Sequence, residues 1–206
     1  MPNTPHPMDV LYQSMTPTHM VPVRGEFEPL SEPGQRFLVA KDGLWMEVKT
    51  PWLYLCYPLA QQTAVDIPCG ALEPSIDFHY GSPPVYLLQR FQHASKDANQ
   101  HPISAWISWN ELTGFRYYEL QRDTAADDVA FTDPVLGEGE TVAFVLTSRG
   151  VGSVSATDND QIRQQSGVYM AGLFGRCDRS DPEYRYTLHA QGLQLEMGDV
   201  FSMLAH

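Results

Sequence analysis

The sequence is short of cysteine, of positive charge and of long apolar runs. Cys56, Cys69 and Cys177 are its three thiols, an odd number with no C-x-x-C spacing. That speaks against a disulfide framework and for packed thiols in a reduced, cytoplasmic protein. Lys and Arg number 13 against 25 Asp and Glu, for a formal net charge of −12. With no basic run or stripe, direct contact with nucleic acid is not expected, because phosphate binding needs clustered cations. No apolar stretch approaches bilayer-spanning length, and the N-terminus lacks the basic and apolar regions of a signal peptide, so no membrane contact is expected. Histidine is absent between His101 and His189. His79, His93, His101 and His189 are scattered without metal-ligand spacing, and a serine nucleophile at Ser148 or Ser153 would find no histidine base nearby in sequence.

What is present is a foldable chain. At 206 residues, with 43% hydrophobic and 11% aromatic side chains, it can bury the core of one domain with an added lobe. Residues 1–30 carry Pro2, Pro5, Pro7, Pro17, Pro22 and Pro29 without a sustained period, and read as an irregular arm draped on the body. Phe37–Lys41 and Leu44–Val48 flank Asp42-Gly43, a strong two-residue hairpin signal. Leu53–Leu59 adds a third strand that is expected to stop near Pro58, and Trp45 and Trp52 lend apolar faces to this small sheet. Pro68-Cys69-Gly70 and Glu73-Pro74 then punctuate the chain. The expected domains are therefore an arm over 1–30, a β extension over 31–70 and a main domain over 71–206.

In the main domain, Ser82-Pro83 is expected to open a helix, with Ser as N-cap and Pro at the first helical position. Val85, Leu88, Phe91 and Ser95 share one face, with Leu87, Ala94 and Ala98 beside it, and the helix ends near Asn99. Ile103–Trp109 and Phe115–Arg122 read as a hairpin with a five-residue connection, and Val129–Thr132 as a short strand. The central stretch runs from Glu140 to Arg179. It contains a buried strand over Val142–Leu146, a loop with Gly150 and Gly152, a polar helix to Ser166 closed by Gly167, and a strand over Val168–Phe174. Ser155 and Asp158 have the spacing of a capping box, in which a Ser N-cap and an acid three residues on satisfy the first helix amides. Tyr184–Leu188 and Leu193–Glu196 complete the strands around Gly192.

Two of these segments carry a family resemblance. The order of helix, hairpin, strand, glycine loop, S-x-x-D helix and strand resembles the JAB/MPN (JAMM) family, whose active members are zinc metalloproteases. Residues 34–60, the Pro-initiated helix and the Ala105–Leu120 hairpin are similar, more closely, to the protein A family of the PRTRC cassette, a set that includes ParB-related, ThiF-related and ubiquitin-like members. The resemblance spans roughly residues 34–192 by motif order. It implies an α+β fold, a mixed β-sheet flanked by helices (JAB/MPN-like, cytidine-deaminase-like) with an N-terminal β-hairpin extension.

It also implies a site. The family holds zinc with an H-x-H pair and the Asp of S-x-x-D, beside a separate Glu that serves as general base. Ser155 and Asp158 match. Counting back from Ser155 puts Val145 and Thr147 where the histidines belong, while matching the L-T-S-R-G run puts Thr147 and Arg149 there. The Glu position falls near Ile103 or Ser104. Val cannot ligate zinc and a Thr hydroxyl is a poor donor, so an inactive member, a pseudoenzyme without metal, is implied. Arg149 is expected either to pair with Asp158 in place of the cation or to point to solvent. The implied role is a binding or scaffold protein for the cassette's ubiquitin-like and ThiF-like proteins. The alternative is a zinc-dependent isopeptidase with ligands recruited from elsewhere, and a third reading is an accessory of plasmid maintenance acting through the ParB-like member.

Overall fold

The computed structural model describes residues 8, 11, 14–62, 64, 66–98, 101–123, 130–154 and 167–198. The chain divides into two compact units, residues 1–79 and 80–206.

The first unit is a five-stranded sheet, ordered β1 (Thr18–Met20), β2 (Gly34–Ala40), β3 (Gly43–Lys49), β4 (Leu53–Gln61) and β5 (Ser75–Phe78). β1 runs parallel to β2, and the remaining neighbours are antiparallel. The Asp42-Gly43 turn joins β2 to β3 because Gly43 takes φ +141°, where a Cβ would lie 2.1 Å from the Ala60 carbonyl oxygen. Asp42 also accepts a hydrogen bond from Trp45 Nε1 at 2.8 Å. β4 does not stop at Pro58. A register shift between Leu44 and Trp45 lets it continue to Gln61 with Pro58 opposite Trp45, and such an irregularity tolerates a residue without an N–H. Val21, Leu38, Ala40, Trp45 and Cys56 form a core cluster. Within the arm, Val21 N donates to Val39 O at 2.9 Å and Gly70 N to Val21 O at 3.0 Å, so residues 18–21 extend the sheet.

One charge is buried here. Glu47 on β3 is fully buried, with Arg36 Nε on one carboxylate oxygen and Leu30 N (2.8 Å) and Tyr54 OH (2.9 Å) on the other. Arg36 also donates to Glu28 O at 2.6 Å and lies 5.4 Å from the Phe27 ring centroid. One carboxylate thus ties residues 27–30 of the arm to three strands.

The second unit begins with α1 (Val85–Asp97), preceded by Pro84 as N-cap with no side-chain cap bond. The expected Ser82 cap is therefore displaced by two residues. α1 buries Leu87, Leu88, Phe91 and Ser95, and the Ser95 hydroxyl donates to Phe91 O at 2.8 Å. Then come β6 (Ser104–Asn110), β7 (Gly114–Glu119), β8 (Arg122–Asp123), β9 (Ala130–Phe131), β10 (Thr141–Ser148), β11 (Val168–Gly175), β12 (Glu183–Ala190) and β13 (Leu193–Glu196). β8 and β9 pair with each other, and the other six form one sheet in the order β13-β12-β11-β10-β6-β7. Its only parallel pair is β10–β11. The β6–β7 turn is tighter than expected: Asn110 Oδ1 accepts from Leu112 N (2.8 Å) and Thr113 N (3.1 Å), and Gly114 takes φ +76°.

Register assigns the sheet's two faces. Phe144, Ile107 and Phe174 face α1, where the Phe91 and Phe174 rings meet edge-on at 5.0 Å. Trp106, Val145, Ala171 and Thr187 form a row on the opposite face. There Trp106, Val145, Tyr169, Ala171, Leu173 and Leu120 make a second core cluster.

This architecture overturns the helix-flanked α+β fold. The described residues are mostly β, in two mixed sheets, with α1 as the one α-helix whose full span is described. The expected hairpin extension is a complete five-stranded sheet with its own core, because β4 outruns Pro58 and β5 joins it. Tight turns at Gly43 and Gly192, between runs rich in aromatic and β-branched residues, favour antiparallel strands over helices. The expected polar helix up to Ser166 lies outside the described residues.

Candidate functional site at the ends of the parallel strands

The carboxyl ends of β10 and β11 carry a loop region bonded on both sides. Parallel strands need a crossover, and the loop leaving the first strand lands beside the end of the second. Here that loop is residues 149–154. Arg149 N donates to Phe174 O at 2.7 Å, and Gly152 N to Arg149 O at 3.1 Å. In return Arg176 N donates to Gly152 O at 2.8 Å, and Cys177 N to Gly150 O at 2.9 Å. Gly150 takes φ +58°. Gly175 leaves no room for a side chain, since a Cβ would lie 2.6 Å from Gly152 O and 2.9 Å from Val154 N. Glu183 on β12 fastens the loop from the side: one oxygen accepts from Val154 N at 3.0 Å and the other meets Arg176 Nε at 2.9 Å. These bonds satisfy backbone groups that a glycine loop otherwise leaves to solvent.

Val145 and Thr147 lie two residues apart on β10, on the face away from α1. Val145 is buried in the apolar cluster with Trp106, Tyr169 and Leu173. Thr147 is half-buried, opposite Ser104 on β6 and Leu173 on β11. Arg149 is half-buried just past the strand end. Ser155 and Asp158 lie outside the described residues, and with them the expected Arg149–Asp158 pair. The neighbouring hydroxyls have structural tasks. Ser104 Oγ donates to Leu146 O at 2.8 Å, and Ser148 Oγ accepts from Ile103 N at 3.1 Å. The donor set at these positions does not fit zinc: valine offers no lone pair, a threonine hydroxyl is a weak ligand, and the Ser104 oxygen is engaged with a carbonyl.

Two polar features escaped the sequence reading. Glu140, at the foot of β10, has a side chain only 4% exposed. It accepts from Tyr118 OH (2.6 Å) and Ser108 Oγ (2.8 Å) and pairs with Arg116 at 3.0 Å. The Tyr118 hydrogen bond, with those of Ser108 and the Gly137 region and the Arg116 charge, holds its carboxyl below the usual range. No local motif signals this network, because its members lie 22 to 32 residues from Glu140 along the chain. The second feature lies on β12, where Thr187 Oγ1 and His189 Nε2 are buried with no hydrogen-bond partner among the described residues. Burial lowers the His189 pKa, and its ring stacks on Tyr169 at 4.9 Å.

Cys177 is buried, and burial raises its thiol pKa, so the thiol is not activated as a nucleophile. It borders a cleft of about 180 Å³ whose other walls are Gln92, His93 and Lys96 of α1 and Arg179, Ser180 and Pro182 of the β11–β12 turn. The other cysteines, Cys56 and Cys69, are buried and free as well. No helix among the described residues is long and apolar enough to cross a membrane.

A search of curated proteins and a search of solved structures each return no match to the chain. Residues 6–79 match the family model described as a domain of unknown function, DUF2016, and that match ends at the residue that closes the first compact unit.

Proposed function

We propose that this chain is a non-catalytic binding or scaffold protein of the cytoplasm, in the manner of PRTRC system protein A, which grips the ubiquitin-like or ThiF-like member of that cassette. The observation that carries the reading is Val145. In the register counted back from Ser155, a position where a metalloprotease of the resembled family needs imidazole is occupied by this apolar side chain, packed into the core; in the other register Thr147 and Arg149 stand there, and neither is an imidazole. A site recruited for catalysis exposes its donors to a ligand, whereas here the hydroxyls of Ser104 and Ser148 are bonded to backbone. Two framework features suit a docking role. The glycine loop is held rigid by bonds on both sides, and the net charge of −12 disfavours nucleic acid and favours a basic protein surface.

The test is a binding titration of the purified chain against the cassette's ubiquitin-like, ThiF-like and ParB-like proteins separately, with metal analysis of the same sample. The expected result is saturable binding to the ubiquitin-like or ThiF-like protein, unchanged by chelator and without cleavage. Failure with both proteins defeats the reading, and so does stoichiometric zinc together with chelator-sensitive cleavage.

A further inference from the structure

Basic residues are scarce in this chain, and several of those described are engaged with acids. Arg36, Lys41, Arg116, Arg176 and Arg185 each have a carboxylate within ion-pair distance. Two others lie at the cleft beside Cys177. Lys96 from the last turn of α1 and Arg179 from the β11–β12 turn both line it, and among the described residues neither has an ion-pair partner. His93, one helical turn before Lys96, shares the cleft, as do the neutral donors Gln92 and Ser180. The acids of these segments, Asp97, Asp178 and Asp181, are exposed and do not line it.

The backbone fixes the two segments that carry these cations. Cys177 N is bonded to Gly150 O and Arg179 N to Arg176 O at 3.0 Å, which sets the turn carrying Arg179. Phe91 and Ser95, flanking the cleft residues on α1, are fully buried and fix the helix against the sheet. Two like charges lining one concavity, without an acid to pair with, gain from a shared counter-anion. A guanidinium offers a planar fork to two oxygens and an ammonium a point charge to a third, a pairing suited to a tetrahedral oxyanion. We propose that this cleft binds a small phosphate-bearing anion, held between Arg179 and Lys96, with His93, Gln92 and Ser180 supplying further hydrogen bonds. The cleft's volume admits a phosphate carrying a small substituent. This goes beyond the docking role above and does not depend on it.

The test is a two-dimensional amide NMR titration of the full chain with inorganic phosphate, at constant pH and ionic strength with chloride as the balancing salt. The expected result is saturable shifts centred on residues 92–96 and 177–182. In a K96A/R179A variant the apparent Kd should rise by about tenfold or more, as for loss of charge-assisted hydrogen bonds. Both side chains are exposed, so the variant's spectrum should otherwise overlay that of the parent, which confirms its fold. Glycerol phosphate run in parallel distinguishes the source: tighter binding than inorganic phosphate identifies a phosphomonoester, and equal binding identifies free phosphate. Linear, non-saturating shifts, shifts scattered over the surface, or equal affinity in the double variant would each overturn the proposal.

Discussion

Removing the buried carboxylate of the first sheet should cost this protein a large share of its stability. In Glu47→Ala the Arg36 guanidinium loses its counter-ion, and Leu30 N and Tyr54 OH lose an acceptor. Breaking a buried ion pair from one side typically costs about 3–5 kcal/mol. The Arg36 side chain is 16% exposed and keeps its bond to Glu28 O and its place over Phe27, which points to the lower half of that range. About 3–4 kcal/mol is therefore expected, against a total of about 5–15 kcal/mol for a typical domain. Arg36→Ala should cost a similar amount. The double variant should cost less than the sum of the two, with a coupling of at least about 2 kcal/mol, because it leaves no unpaired charge behind. Native-state hydrogen exchange of the β3 and β4 amides reads this unit by itself. The Leu30 amide should become unprotected in Glu47→Ala even where β3 stays protected. A cost below about 1 kcal/mol, or a coupling near zero, would show that the buried pair contributes little and that the arm is held by its other contacts.

Other outcomes follow from single residues. Gly43→Ala should lower stability by about 3 kcal/mol or more, because its Cβ meets the Ala60 carbonyl; Gly192→Ala, at φ +90° with open space around it, should cost about 1–2 kcal/mol. Urea unfolding of the pair separates the clash from the backbone strain. Gly175→Ala should push the glycine loop off β11, seen as faster amide exchange at Arg176 and Cys177 while β12 remains protected. Burial and the Glu47 charge push the Cys56 thiol up to about 11 from 9.0. Its stabilising contribution is complete below pH 9 and is lost as pH rises through 11, so thermal melts over that window should fall less steeply in Cys56→Ala. The Glu140 carboxyl is held below its ordinary 4.5, so its contribution is present above that pH and disappears as pH falls through the native value. Glu140→Gln should flatten the acid limb of the stability profile, and an unchanged limb would show that the network is not coupled to folding.

Much of the strand order is legible from local signals, and the division of labour is clearest in the hairpins. Asp42-Gly43 between alternating runs specifies a turn by chirality alone, since few residues but glycine take a positive φ without strain. The helix face of Leu88, Phe91 and Ser95 follows from the 3.6-residue period. The Val145 and Thr147 spacing places both on one face of β10 for the same reason of period, which in a strand is two. Beyond such local rules, partners distant in sequence leave no local signal. A helix-flanked fold was inferred from element order, but element order does not say which strands share a sheet. Only the folded chain decides that β5 joins β4, that Pro58 can pass at a register shift, and that the first unit is a sheet in its own right. Likewise Glu47 with Leu30 and Glu140 with Ser108 are far apart in sequence and hydrogen-bonded in space, and Lys96 and Arg179 line one cleft. Local conformation is set by sterics within a few residues, which a sequence displays directly. Charge pairing and clefts depend on which surfaces meet, and that is settled by long-range packing.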